Sequence, residues 1–166
     1  MLAVQDFEDL LSGLARHRVR YLIVGGLAFI YHAKPRYTKD MDIWVDGSDR
    51  NIERTNRALA EFGSPELLDL GQPDQILQLG IAPNRIDILI DLPPLRFAAA
   101  WRRRQVSAYG SVNASWIDLE SLLEVKSSMD HPRHQEDARV LRQVLAMNKR
   151  PARVVRQCQA PGEEAE

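Results

Sequence analysis

Apolar residues recur along the chain in two periods, and the switches between them delimit a series of alternating elements. Phe7, Leu10, Leu11 and Leu14 fall at helical spacing, which predicts a first helix capped by Asp6 and ending near His17. The short apolar run Tyr21 to Val24 reads as a buried strand. Gly25-Gly26 breaks it, and Leu27 to His32 reads as a helix opening directly on the glycine pair. Lys34 to Lys39 is a loop, because Pro35 biases its neighbour away from helical backbone. From Asp40 the period becomes two: Met41, Ile43 and Val45 alternate with Asp40, Asp42, Trp44 and Asp46, the pattern of a strand with one apolar face.

Beyond that strand, Ser48 is placed to cap a third helix reaching about Phe62, and a Gly/Pro-rich link follows. Ile76 to Ile81 and Arg85 to Asp91 read as a hairpin turning at Ala82-Pro83-Asn84. Pro93-Pro94 is expected to start a helix through Arg104, and Val106 to Trp116 to supply one or two strands interrupted by Gly110. Asp118 caps a helix through Met129, and Pro132 opens a last helix to about Met147. This order predicts an α/β (α+β) domain, a mixed β-sheet flanked by helices, better than a doubly wound parallel sheet. The domain is expected over residues 1–148. The last stretch, 149–166, carries Pro151, Pro161, Gly162 and an acidic end, and reads as a disordered tail.

Composition narrows the class. At 166 residues with 45% hydrophobic and 27% charged, the chain is one domain able to bury a core without disulfides or a structural metal. Cys158 stands alone, which rules out an internal disulfide and cysteine-based zinc spacings. Apolar runs fall far short of the roughly 18 residues of a membrane span, so no membrane partner is expected. Asp6, Glu8 and Asp9 sit where a signal peptide would be basic and apolar, so the expected location is the cytoplasm. Net charge is −1 but uneven. Residues 96–156 hold 12 Lys and Arg against 6 Asp and Glu, a locally basic half that reads as solvated helix faces able to meet phosphates.

The densest chemistry runs from Val24 to Val45. A Gly-Gly between strand and helix lets backbone approach a ligand, and the free N–H groups of the helix start suit an anion. It lacks the dinucleotide G-x-G-x-x-G and the G-K-[ST] of a Walker loop. Asp40 and Asp42, two apart on a strand, leave one face with Cα atoms about 6.6–6.8 Å apart. Such carboxylates suit a hard cation with oxygen ligands. Paired ions about 3.5–4 Å apart would clamp both oxygens of a phosphoryl displacement. Isoleucines 86, 88 and 90 share one face of a second strand, leaving Arg85, Asp87, Leu89 and Asp91 on the other. If that strand lies beside Met41 to Val45, Asp87 joins the pair, and three like charges need a cation or a proton. Asp91 is the weaker candidate.

Val24-Gly25-Gly26, thirteen residues, Asp40-Met41-Asp42-Ile43 and a later Asp87 together resemble the nucleotidyltransferase fold shared with DNA polymerase β. The fuller string, with Arg36-x-Thr38-x-Asp40-x-Asp42, is similar to minimal prokaryotic nucleotidyltransferases related to abortive-infection toxins. The resemblance covers about residues 20–92, and 118–147 more loosely. It implies that Asp40, Asp42 and Asp87 hold Mg²⁺ or Mn²⁺, with Asp87 also helping to deprotonate the acceptor hydroxyl. It further implies that Gly25 and Gly26 lie against the β and γ phosphates with Arg36 and Thr38 nearby, and that Lys126 binds phosphate. Arg133 and Asp137 occupy places similar to a family Arg and Asp, although at i, i+4 they can simply pair with each other. Many members carry Ser where Gly26 stands. His131 and His134 read as a hinge between helices rather than a metal site.

Three functions follow. The first is metal-dependent transfer of an NMP from an NTP to a hydroxyl on RNA (tRNA included), on protein or on a small molecule, in an enzyme related to toxins and accompanied by an antitoxin. The second is a catalytically silent domain of the same fold that binds a partner or RNA within a toxin–antitoxin pair. The third, an aminoglycoside- or lincosamide-type transferase, would need an acidic pocket, against which the basic second half argues.

Overall fold

A computed structural model describes residues 4–81 and 83–149. The strands β1 (Tyr21–Val24), β2 (Asp40–Val45), β3 (Ile76–Leu79), β4 (Arg85–Leu89), β5 (Gln105–Tyr109) and β6 (Val112–Trp116) form one sheet in the order β3-β4-β2-β1-β6-β5. The helices are α1 (Gln5–Arg16), α2 (Gly25–His32), α3 (Asp49–Phe62), α4 (Phe97–Arg103), α5 (Leu119–Ser128) and α6 (Pro132–Asn148). The sheet is mixed: β1 runs antiparallel to β2 and parallel to β6, β2 runs parallel to β4, and hairpins β3–β4 and β5–β6 close both sides. A parallel β2–β4 pair needs a long crossover, which α3 supplies.

Strand alternation gives the sheet two buried faces. Tyr21, Ile23, Met41, Ile43, Ile86 and Ile88 pack with Phe7, Leu10 and Leu14 of α1 and Ile52 and Leu59 of α3. Leu22, Val24 and Trp44 pack on the opposite side with Phe29 of α2, Ala100 of α4, Leu122 of α5 and Leu141 of α6. The sequence-derived carboxylates Asp40, Asp42 and Asp87 lie on this second face, at the end the helices leave open.

Several local expectations change. Position Val4, not Asp6, precedes α1, and no side chain caps it. Ser48 precedes α3 but donates its hydroxyl back to Asp46 Oδ2 at 3.3 Å, so it caps nothing. Pro93-Pro94 forms a cis turn and α4 starts only at Phe97. Helix α2 takes in the glycine pair rather than following it. Trp44, expected on a polar face, is 1% exposed, because α4 covers that end of the strand: Phe97 stands edge-on at 5.1 Å and Trp44 Nε1 donates to the Ile90 carbonyl. By contrast, Asp118 caps α5 by accepting from the Ser121 N–H at 3.0 Å, as expected. The expected tail lies, from residue 150 onward, outside the described residues. Among the described residues no helix is long and apolar enough to cross a membrane.

Candidate active site

The sheet brings the sequence-derived carboxylates together by register alone. Asp42 on β2 pairs with Val24 on one side and Asp87 on the other, and Asp40 pairs with Arg85. Residues directly across adjacent strands point to the same face, so Asp40, Asp42 and Asp87 project together. The β1 chain ends on Asp42's flank, which puts Gly25 against the carboxylate: a Cβ there would lie 2.1 Å from Asp42 Oδ2. Gly25 also has φ +63°, a backbone region that disfavours side chains. A Cβ on Gly26 would lie 2.7 Å from Thr38 Oγ1. Thr38 therefore sets its hydroxyl in the space that a serine at position 26 would use. Helix α2 starts on these glycines with no side-chain cap, leaving its first N–H groups for an anion.

The walls come from three other segments. Arg36, in the loop before β2, lies 4.2 Å over the Phe29 ring and pairs with Asp137 of α6. Lys126 of α5 is 5% exposed and pairs with Asp137 Oδ2 at 3.0 Å. His134 Nδ1 lies 3.1 Å from Lys126 Nζ. Asp137 thus draws two cations from distant segments to the cleft, and it does not pair with Arg133 as local spacing allowed. A long-range partner more than a hundred residues away wins over the i, i+4 neighbour because Asp137 faces inward, 3% exposed. His131 accepts from the Arg133 N–H and so caps the start of α6. Asp91 is exposed, past the end of β4, and lines a different cleft with Asp49 and Asp69. The cleft itself measures about 560 Å³ and is lined by all eight sequence-derived site residues, with Arg85, Leu89, Leu92, Met129, His131, Arg133 and His134.

The electrostatics follow from crowding. Burial, then the charges of Asp87 and Asp40, push the Asp42 carboxyl up to about 6. Asp87 is also raised, chiefly by burial, with Arg85 pulling it back. Lys126 is lowered by burial against the pull of Asp137. Burial alone would raise Asp137, but hydrogen bonds from Arg36 and Lys126 outweigh it and hold the carboxyl below the ordinary range. His134 is lowered by burial and by the neighbouring Lys126 charge.

Arg85 is the residue that sequence reasoning passed over. Its Nη2 donates to Asp40 Oδ2 at 2.9 Å and to Asp87 Oδ2 at 3.1 Å. The guanidinium lies between the two acids, and no three His, Cys, Asp or Glu side chains among the described residues gather closely enough to hold an ion. The donor chemistry still suits a hard cation: the oxygens are carboxylate, they crowd on one face, and Asp87 Oδ1 is buried without a hydrogen-bond partner. Asp40, Asp42 and Asp87 are the residues that could hold it. The signal for Arg85 was present, since it precedes Asp87 by two on one strand face, but its partner Asp40 is visible only once the β2–β4 register is known.

The architecture is that of the nucleotidyltransferases. The lincosamide antibiotic adenylyltransferase LnuA, solved with lincomycin bound, matches with a TM-score of 0.59 at 17% identity, over 86% of this chain and 98% of its own. A candidate nucleotidyltransferase from Thermotoga maritima matches with a TM-score of 0.56 at 17% identity, over 85% and 91%. ANT(2")-Ia, solved with adenylyl-2"-tobramycin, matches with a TM-score of 0.54 at 15% identity, over 86% and 89%. At these identities the likeness is one of fold. No protein-family model and no curated protein matches the chain in sequence.

Proposed function

We propose that the chain is a metal-dependent nucleotidyltransferase that moves an NMP from an NTP onto an acceptor hydroxyl. The observation that carries this reading is the in-register set Asp40, Asp42 and Asp87 beside a glycine-opened helix start, in one cleft of this fold. Arg36, Lys126 and Thr38 line the same cleft, and with the α2 N–H groups they suit the triphosphate. Asp40, Asp42 and Asp87 would hold Mg²⁺ or Mn²⁺, which when bound offsets the charge developing on the phosphates. Asp87, raised by burial, is suited to take the hydroxyl proton. The acceptor oxygen bonds to the α-phosphorus as its bond to the bridging oxygen breaks, and pyrophosphate leaves. The chain's part is alignment, charge and the proton that Asp87 accepts, with no covalent intermediate.

The glycine pair, the Arg36-x-Thr38-x-Asp40-x-Asp42 string and the Lys126–Asp137 pair support a likeness to the toxin-related minimal members. For the acceptor, the cleft lining offers Arg133 and His131 at its exposed rim and no carboxylate besides Asp40, Asp42 and Asp87. That charge favours RNA over a polycationic drug, even though two similar structures hold antibiotics. Incubating RNA, protein extract and an aminoglycoside and lincosamide panel with each NTP, then reading the added mass of one nucleoside monophosphate, tests the choice. A gain confined to the antibiotics would reverse it.

A silent, partner-binding reading rests on Arg85 bridging two of the three carboxylates. Calorimetry separates the two: a silent domain binds no Mg·NTP, whereas the enzyme does.

A further inference from the structure

We infer that Arg85 is a resident cation that competes with the divalent ion for Asp40 and Asp87, so that metal loading requires the guanidinium to leave. The inference rests on the metal-dependent reading above and concerns a residue to which that reading gives no role.

The strand geometry brings the guanidinium within reach of both acids. Arg85 lies directly opposite Asp40 in the parallel β2–β4 register, and two residues before Asp87 on the same face of β4. One guanidinium nitrogen, Nη2, reaches an Oδ2 of each acid. The same guanidinium has its Nε buried without a partner, and Asp87 Oδ1 is buried without one as well. The bridge therefore neutralises charge while leaving hydrogen-bonding capacity unused on both sides, an arrangement a better-fitting cation can displace. The head of Arg85 also has somewhere to go. Its side chain is 36% exposed and lines the cleft, so it can swing toward solvent without unfolding β4. Asp42 takes no part in the bridge, so its carboxylate is not engaged by the guanidinium. A competing internal cation lowers apparent metal affinity by the fraction of molecules in which the bridge is closed. It also keeps the crowded carboxylates tolerable while no metal is bound.

The test measures Mn²⁺ affinity of the full chain, without nucleotide, by calorimetry and by the loss of the free-ion resonance signal. The variants are Arg85→Gln, Arg85→Lys, and Arg85→Gln combined with Asp42→Asn. Competition predicts that Arg85→Gln binds Mn²⁺ about tenfold more tightly than the wild type, with Arg85→Lys between them. Adding Asp42→Asn removes the gain, which assigns it to this cleft. Thermal unfolding gives a second readout: Mn²⁺ raises the melting temperature of Arg85→Gln more than that of the wild type. Equal affinities in wild type and Arg85→Gln would overturn the competition while leaving the metal reading intact. Weaker binding in Arg85→Gln would also overturn it, by making Arg85 a support of the site. If neither protein binds Mn²⁺, the metal reading falls and the inference with it.

Discussion

Asp42 concentrates the conflict between folding and function. Its carboxyl is held near 6 by burial and by two neighbouring carboxylates, whereas in the unfolded chain it titrates near 4. Between those values the folded protein retains a proton that the unfolded chain has lost. The contribution of Asp42 to the stability of the metal-free protein therefore falls as pH rises from about 4 to about 6 and levels off above. Asp42→Asn removes that slope and, by the size of the shift, stabilises the metal-free protein at neutral pH by on the order of 1–3 kcal/mol. Urea unfolding at pH 5 and pH 7.5 checks both, and a less stable variant at pH 7.5 would contradict the account. A metal needs the ionised form, so affinity for it should drop as pH falls through about 6. The glycine pair gives a second residue-level prediction. Gly26→Ser meets Thr38 Oγ1 and should weaken NTP binding, and adding Thr38→Ala should restore it by letting one hydroxyl replace the other. Titration calorimetry with a non-hydrolysable NTP reads each variant. The sequence pattern exposed Asp40, Asp42 and Asp87 because a period of two fixes faces, but Arg85's bridge depends on how two strands align, which no local pattern carries.

The elements of the site are tied by one buried acid. Asp137 on α6 holds Arg36, in the loop between α2 and β2, and Lys126 on α5. Asp137→Ala leaves those two cations facing each other, one of them buried, and should cost about 3–5 kcal/mol in denaturant unfolding, the range for breaking a buried pair. Asp137→Asn, which keeps a hydrogen-bond acceptor, should fold better while raising the KM for NTP, because Arg36 and Lys126 lose their common anchor. A full-strength KM in Asp137→Asn would confine Asp137 to holding the helices together. The element order was readable from apolar spacing, and the two hairpins emerged where alternating runs flank Pro83-Asn84 and Gly110. The caps were less readable. Ser48 has the right chemistry for α3, yet Asp46 two residues earlier competes for its hydroxyl. Trp44 was hidden for a related reason: whether a face of a strand is buried depends on helices that arrive later in the chain.

At the scale of the molecule, a mixed sheet covered on both faces leaves one open end, and the candidate site is confined to it. The basic second half divides on folding. Arg103 pairs with Asp118 and Glu120, and Arg139 with Glu136, so part of the charge legible in the sequence is neutralised internally. Arg133 stays exposed at the cleft rim. Arg133→Glu should therefore weaken RNA labelling severalfold and flatten its dependence on salt, with NTP binding unchanged. The most direct test of the central claim is transfer of label from α-³²P NTP, with Mg²⁺ or EDTA, to total RNA, protein and small molecules, by the wild type and by Asp42→Asn. The account predicts label that requires both Mg²⁺ and Asp42, on an acceptor rich in phosphate. Label that survives EDTA or Asp42→Asn would contradict it.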